Sequence, residues 1–282
     1  MSAYRFCRTD DIGLLVDALN RCWLPYFPGE PPTTPAMFKR SIRDLQVWCS
    51  SCMVAFAGAD PIGVLIGAKR PTATLIHRIA VHPDHVRQGH GRHMLHSLGS
   101  KLAILGPPRI VAEVPETLVP ACALFGASEY VEEALLTDYV LETAGLRPGA
   151  GDRPQTAGRF VIPVTVDDLA ANGLLEDAHP QACWERSVGT LAARKDGVTG
   201  LAVASEERIE AYLIYAAGEI VSLRSFIEDG GTRLGQLLSY LGMGTFRFPK
   251  VHPAEFSKEL LWTLGFRPAG GYRLYAATAR SQ

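Results

Sequence analysis

Residues 79–95 read Ile79-Ala80-Val81-His82-Pro83-Asp84-His85-Val86-Arg87-Gln88-Gly89-His90-Gly91-Arg92-His93-Met94-Leu95. The stretch predicts a β-strand that runs into a glycine-containing loop, from which an α-helix begins. The first N–H groups of a helix have no partner inside the helix, and the helix dipole adds positive potential at the same end. The glycines at 89 and 91 lack a Cβ atom, so the main chain there can approach a ligand closely. The sequence therefore predicts a site for a phosphate or pyrophosphate group.

The flanking sequence favours this interpretation over a simple turn. Upstream, residues 74–81 contain enough β-forming residues for a strand. Two familiar phosphate loops are excluded, because the stretch lacks the Lys-Ser/Thr of an NTPase P-loop and the third glycine of a dinucleotide fold. Downstream, apolar residues recur at helical spacing on one face, at Met94, Leu95, Leu98, Leu102 and Leu105.

The loop resembles the acetyl-CoA loop of the GCN5-related N-acetyltransferase (GNAT) superfamily, whose pattern is Gln/Arg-x-x-Gly-x-Gly/Ala after a strand that ends Val-x-Pro. Here the frame is residues 86–91, and Val86 departs from its first position. The resemblance implies an α/β (α+β) fold with a mixed, mostly antiparallel, twisted sheet flanked by helices. It also implies acetyl-CoA as co-substrate, with its pyrophosphate held mainly by main-chain N–H groups. The implied cofactor-binding residues are Ile79, Ala80, Val81, Arg87, Gln88, Gly89, His90, Gly91, Arg92 and Phe125.

The length of 282 residues permits about two domains of ~100–150 residues each. We expect a first domain at residues 1–146, a Gly- and Pro-rich linker at 147–158, and a second domain at 159–282 in which the same order of elements restarts. The second copy resembles a further GNAT domain, but residues 228–235 stand where its phosphate loop belongs. Their glycines lie in a different register, and Glu228 and Asp229 would repel a phosphate. We therefore expect a cofactor in the first domain only.

The composition excludes several partners and sites. Lys+Arg (28) and Asp+Glu (29) nearly cancel, which argues against a nucleic acid or an anionic membrane surface as partner. Because we see no secretory leader or long apolar run, we expect a cytoplasmic protein with reduced cysteines. Cys49 and Cys52 fall in an expected strand over residues 48–57, which favours packing over a redox or zinc role. Six of the eight histidines lie within residues 77–96, but no cysteine ligand interleaves with them, so we expect no metal site.

The implied reaction needs a base, because an alkyl ammonium of pKa ~10.4 is mostly protonated at pH 7. Residues 77–82 resemble the corresponding segment of serotonin N-acetyltransferases, in which the histidine that matches His77 belongs to the proton relay. Glu113 and Glu116 lie on or just past the expected strand over 109–114, and each is an alternative that would act through a water. The resemblance also offers a main-chain N–H near residues 79–81 to polarise the thioester carbonyl. For each side chain the competing interpretation is that it has no catalytic role.

The proton donor to the leaving thiolate departs from the family pattern. The corresponding short helix often reads Asn-x-x-Ala-x-x-Leu-Tyr, and here Leu118 and Phe125 replace its Asn and Tyr. Tyr130, Tyr139 and Cys122 are candidate substitutes, each weighed against ordinary core packing. Loss of a general acid costs ~10²–10⁴-fold in rate, so its loss does not exclude an enzyme.

An aromatic stretch contains Trp23, Tyr26 and Phe27. In this superfamily the loop between the first two helices covers the acceptor substrate, so the resemblance implies that these residues bind it. Such a wall suits an apolar or aromatic amine, although the same residues could simply anchor the loop. We expect an acyl-CoA-dependent N-acyltransferase that moves an acetyl group to a small-molecule amine by direct attack in a ternary complex. A non-catalytic acyl-CoA-binding or regulatory protein and a protein N-acetyltransferase are the alternatives, and a homodimer stays open.

Overall fold

The computed structural model describes residues 2–143, 159–176 and 183–279, so the predicted linker at 147–158 lies outside the described residues. The chain divides into two compact units. Unit 1 contains Met1–Ala134 and Arg273–Gln282, and unit 2 contains Leu135–Tyr272. The expected domains were 1–146 and 159–282. The compact units differ from them because the last ten residues join the unit built from the N-terminal half.

Unit 1 contains the strand, loop and helix that the sequence predicts around residues 79–95. Its helices are α1 (Ile12–Cys22), α2 (Pro35–Leu45), α3 (His90–Leu105) and α4 (Val119–Gly126). Its strands are β1 (Ser2–Phe6), β2 (Met53–Ala57), β3 (Asp60–Lys69), β4 (Ala73–Val81) and β5 (Arg109–Pro115), followed by the start of β6 (Val131–Glu142). Cys49–Ser51, expected within a strand, forms a short 3-10 helix instead.

Unit 2 repeats this order, as the sequence predicts. Its helices are α5 (Val166–Ala171), α6 (Val188–Arg194), α7 (Thr232–Leu238) and α8 (Lys258–Thr263). Its strands are β7 (Arg159–Val164), β8 (Thr199–Ser205), β9 (Ile209–Ala216), β10 (Glu219–Ser225) and β11 (Thr245–Val251), with the start of β12 (Arg267–Thr278). A capping box stabilises the start of α5, where the side chains of Thr165 and Asp168 each accept a hydrogen bond from the other residue's main-chain N–H group.

Each unit is built on a mixed, mostly antiparallel sheet. The strand order is β1-β2-β3-β4-β5-β12 in unit 1 and β6-β11-β10-β9-β8-β7 in unit 2. One adjacent pair in each unit is parallel, β4 with β5 and β10 with β11. The unit boundaries after Ala134 and Tyr272 fall inside β6 and β12. Residues 273–278 of β12 therefore belong to unit 1, where β12 lies beside β5. The predicted fold class is therefore observed in both units.

The core of unit 1 lies between the sheet and the helices α3 and α4. It contains Met94, Leu95, Leu98 and Leu102, which are the apolar residues that the helical spacing predicts, whereas Leu105 at the helix end is exposed. Ile110, Ala112 and Val114 of β5 face the same core, so alternate residues of β5 face the other side of the sheet. Within the described ranges, no helix is long and apolar enough to cross a membrane.

Candidate active site

The strands β4 and β5 separate after a short parallel pairing. Residues 73–75 pair with residues 109–111, and the pairing then ends. β4 continues to Val81 and β5 to Pro115, so both strands extend well beyond their last shared pair. Main-chain N–H and C=O groups on the separating edges no longer serve each other, and they become available to an extended ligand. This opening is the geometric basis of the candidate site.

A β-bulge lies in β4 at His77. Ile66 of β3 pairs with Arg78, and the next residue, Gly67, pairs with Ile76, so His77 is the extra residue. A bulge bends its strand and redirects a side chain, and such irregularities are common beside active sites. Because of the bulge, strict strand alternation does not fix the direction of the His77 side chain. The half-buried His77 lies in the part of β4 that has separated from β5.

The loop after β4 forms the predicted anion site. Arg87 has a positive φ of 63°, and Gly89 caps α3 with φ 86° and ψ −2°. His93 is the first residue of α3 whose N–H finds an acceptor, the carbonyl of Gly89 at 3.0 Å. Among the described residues, nothing accepts a hydrogen bond from the main-chain N–H groups of residues 87–92. We call these consecutive donors the cradle, and at the positive end of a 16-residue helix they suit a phosphate or pyrophosphate.

The two glycines of the cradle serve different purposes. Gly89 needs its positive φ, which L-residues with a side chain rarely adopt. Gly91 has an ordinary φ, but a Cβ atom there would lie 3.0 Å from Cδ2 of Leu124 in α4. Gly91 therefore allows α4 to pack closely against the start of α3, a role that the sequence did not reveal.

The predicted acceptor residues contact the end of β4. The hydroxyl of Tyr26 donates to the carbonyl of Val81 at 2.7 Å. Trp23 stacks on Phe27 with ring centroids 4.4 Å apart, and the guanidinium of Arg78 lies 4.9 Å from the centroid of Trp23. Burial lowers the pKa of Arg78. The structure therefore brings these three aromatic residues to the strand that carries His77.

The two carboxylate candidates lie at different places. Glu113 is half-buried within β5, and it follows Ala112, which faces the α3 core. Its side chain therefore points to the opposite side of the sheet. Glu116 lies beyond the end of β5 and is exposed. Glu113 is thus the carboxylate on the strand that borders the opening.

The environment of Phe125 contains two of the candidate proton donors, Tyr130 and Cys122, and one residue that the sequence did not indicate, Tyr275. Phe125 is 2% exposed, stacks on Tyr275 at 5.5 Å and meets Tyr130 edge-on at 5.2 Å. The Cys122 thiol donates to the carbonyl of Pro115 at 3.8 Å. Burial and then Cys122 raise the pKa of Tyr275. Phe125 is therefore a core residue, beside a hydroxyl and thiol pair at the end of β5.

Tyr139, the remaining candidate proton donor, lies elsewhere. It belongs to the core of unit 2, where it meets Phe266 edge-on at 6.5 Å. Tyr275 comes from the last strand of the chain, some 150 residues after Phe125 in sequence. Only the strand order places it in unit 1, and no local sequence signal could have identified it.

Unit 2 contains a loop whose helix-capping glycine matches that of the cradle. Gly231 caps α7 with φ 86° and ψ 11°, close to the values at Gly89. The expected difference in register therefore applies only to the second glycine, because Arg233 stands where unit 1 has Gly91. The carboxylate of Asp229 accepts the main-chain N–H groups of Gly231 at 3.1 Å and Arg233 at 2.9 Å. Burial opposes ionisation of Asp229, but hydrogen bonds from Arg233 and Gly231 hold its pKa below the usual value. An internal carboxylate thus occupies the donors that a phosphate would need.

A cavity of about 430 Å³ lies in unit 2 where β10 and β11 separate. These strands share one parallel pair, Glu219 with Arg247. The cavity is lined by aromatic and aliphatic side chains, among them Tyr212, Phe248, Phe256 and several leucines. Polar side chains, which include Asp229, complete the lining. Within the described ranges, no group of three or more His, Cys, Asp or Glu side chains is arranged to hold a metal ion.

Comparison with known proteins agrees with this geometry. The acetyltransferase (GNAT) family model matches residues 14–127, which include β4, the cradle and α4. No curated protein sequence matches the chain.

Solved structures resemble the chain along nearly its whole length. A tandem GNAT protein from the clavulanic acid biosynthesis pathway is 16% identical, with 100% of both chains covered and a TM-score of 0.66. A putative acetyltransferase from Pyrococcus horikoshii is 17% identical over 99% of this chain and 90% of that chain, with a TM-score of 0.63. A GCN5-related N-acetyltransferase from Sphaerobacter thermophilus is 13% identical over 99% and 96%, with a TM-score of 0.66. At these identities the likeness establishes the fold, and the predicted fold class is confirmed.

The backbone of the cradle yields a stability prediction. Gly89→Ala should lower the free energy of unfolding by about 1–2 kcal/mol, because alanine must adopt the left-handed conformation at φ 86°. Gly126→Ala is the matched control, since Gly126 is exposed, ends α4 and has an ordinary φ. Urea unfolding should show that this control is unchanged or stabilised by about 0.4–1 kcal/mol. Equal losses in both variants would contradict the assigned role of Gly89.

Proposed function

We propose that this protein is an acyl-CoA-dependent N-acetyltransferase whose acceptor is a small-molecule amine, since the acetyltransferase (GNAT) family model matches residues 14–127. The observation that carries the proposal is the cradle, a run of unpaired main-chain donors directly after the strand that separates from β5. Bound acetyl-CoA would supply the acetyl group as an activated thioester. The open donors fit its pyrophosphate, and the separating edges of β4 and β5 fit an extended chain.

We assign the cofactor to unit 1 alone. The cradle in unit 1 offers main-chain N–H groups without acceptors, whereas Asp229 already accepts the equivalent groups in unit 2. A second anion beside Asp229 would meet like charge at close range. In this proposal unit 2 serves as scaffold or substrate wall.

His77 is the proposed base. It would accept a proton from the acceptor ammonium, directly or through a water, so that the amine lone pair can attack the thioester carbonyl. An unperturbed imidazole has a pKa near 6.5, which suits this task at neutral pH. The bulge supports the assignment, because it sets His77 apart from the regular ladder in the separated part of β4. Glu113 and the exposed Glu116 are the alternatives.

We assign the proton for the leaving thiolate to the pair formed by Tyr275 and Cys122. Cys122 contributes to the raised pKa of the Tyr275 hydroxyl, and its thiol donates to the carbonyl of Pro115, the last residue of β5. Cys122 would donate its proton to the departing sulfur, and the hydroxyl of Tyr275 would stabilise the Cys122 thiolate that remains.

The acceptor would lie against Trp23, Tyr26 and Phe27. These rings contact β4 through Arg78 and the carbonyl of Val81, which supports an apolar or aromatic amine as substrate class. The second candidate function, a non-catalytic acyl-CoA-binding or regulatory protein, is favoured by Phe125, which has no proton to give. A protein N-acetyltransferase is the third, and it would need a peptide acceptor at the same wall.

Thiol release tests the proposed function. With acetyl-CoA and a panel of arylalkyl, alkyl and peptide amines, the protein should release CoA in the presence of an apolar small amine, and the acetylated amine should appear in equal amount by mass spectrometry. Stabilisation by acetyl-CoA in a thermal melt, without release for any amine, would identify a binding protein instead. Release with peptides alone would favour the protein N-acetyltransferase.

A pH profile tests His77. His77→Gln should lower kcat/KM by about 10²–10⁴-fold at pH 7, because no imidazole is available to take the ammonium proton. The deficit should shrink towards pH 10, where much of the acceptor amine is already neutral. His96→Gln is the matched control, since His96 is exposed on α3. A deficit of the same size at every pH would remove His77 from proton transfer.

A matched pair of tyrosine variants tests the proton donor. Tyr275→Phe keeps the ring that stacks on Phe125 but removes the hydroxyl, so kcat should fall about 10²-fold while the KM for the amine stays constant. Tyr130→Phe removes a buried hydroxyl from the same aromatic cluster and should change kcat less than about twofold. If both variants retain wild-type kcat, Tyr275 has no part in the reaction.

A further inference from the structure

One histidine of the cluster at residues 77–96 differs from its neighbours. His90 is 5% exposed, although it is the first residue of α3 and its own main-chain N–H belongs to the cradle. The hydroxyl of Tyr4 in β1 lies 2.6 Å from its Nδ1 atom. Its other ring nitrogen, Nε2, is buried and has no hydrogen-bond partner in the described part of the chain. A buried polar atom without a partner is costly, and in a native protein it calls for an explanation.

The groups that face His90 keep it neutral in the free protein. His85, from the short 3-10 helix before the loop, has its ring centroid 6.4 Å away, and His93 lies one turn further along α3. Tyr4, the contact from β1, is uncharged at neutral pH, and its own pKa is raised by burial. Burial, and then His85 and His93, lower the pKa of His90 below 6.5. The positive end of α3 acts in the same direction.

We propose that His90 takes up a proton when the pyrophosphate of the cofactor binds to the cradle, and so acts as a charge-compensating residue for that site. The inference rests on the proposed function, since it assumes a pyrophosphate at residues 87–92. Two negative charges would then lie within one side-chain length of the imidazole, and they would favour the imidazolium that burial disfavours. The Tyr4 contact survives this change, because a hydroxyl that donates to Nδ1 can rotate and accept from it.

The proposal fixes the sign of a pH effect. The pKa of His90 is low in the free protein and rises in the complex, so binding takes up a proton at any pH between the two values. Affinity should therefore increase as the pH falls through this window, by at most about tenfold per pH unit for one proton. Above the window His90 is neutral in both states, and the dependence should vanish.

Calorimetry with dephospho-coenzyme A tests the proposal. This ligand lacks the 3′-phosphate, whose pKa near 6 would otherwise contribute its own protons, and it keeps the pyrophosphate. Titrations at pH 6.5 in two buffers of different ionisation enthalpy give the number of protons taken up. The wild type should take up a substantial fraction of one proton, and His90→Gln should take up none.

Two exposed or half-exposed histidines provide matched controls. His93→Gln and His85→Gln should retain the uptake, and they keep the test decisive even if His90→Gln does not fold. No uptake in the wild type, or its loss in either control, would overturn the assignment to His90. If dephospho-coenzyme A does not bind at all, the proposed function fails instead, so the two failures are distinct.

Discussion

The separation of two parallel strands is the constraint on which the site depends. β4 and β5 share three residue pairs and then move apart, and an antiparallel neighbour continues to hold β4 as far as Val81. Because β4 stays paired on its other side, it keeps a regular β-ladder with β3 where it leaves β5, apart from the bulge at His77. The nine residues of β4 include the bulge at His77 and the contacts to the aromatic loop. The chain that leaves β4 leads directly into the loop that forms the cradle.

The two units share one architecture but differ in the loop before the corresponding helix, which is the cradle before α3 in unit 1 and the loop before α7 in unit 2. Gly89 and Gly231 cap their helices in nearly the same conformation. The difference is chemical, since the cradle has unpaired N–H groups, while Asp229 satisfies those of the second loop and is held by Arg233. Arg233 also pairs with the buried Glu210 at 2.6 Å, which fixes the internal anion in place. This contrast supports our proposal of a single cofactor per chain.

The sequence predicted much of this fold because its signals are local. Glycine at 89, the apolar face of α3 and the strand before it are short-range patterns, and the structure contains each of them. The features that escaped prediction depend on distant partners. Tyr275 reaches Phe125 only through strand order, and the bulge at His77 depends on the register of β3. The sequence shows the charge of Asp229 but not the hydrogen bonds that this carboxylate accepts from the next turn.

The most direct test of the central claim is a crystal structure with acetyl-CoA. We predict one molecule per chain, with its pyrophosphate on the main-chain N–H groups of residues 87–92 and its thioester between β4 and β5 near His77. Electron density for the cofactor in the cavity of unit 2, or pyrophosphate bound away from the cradle, would contradict the account.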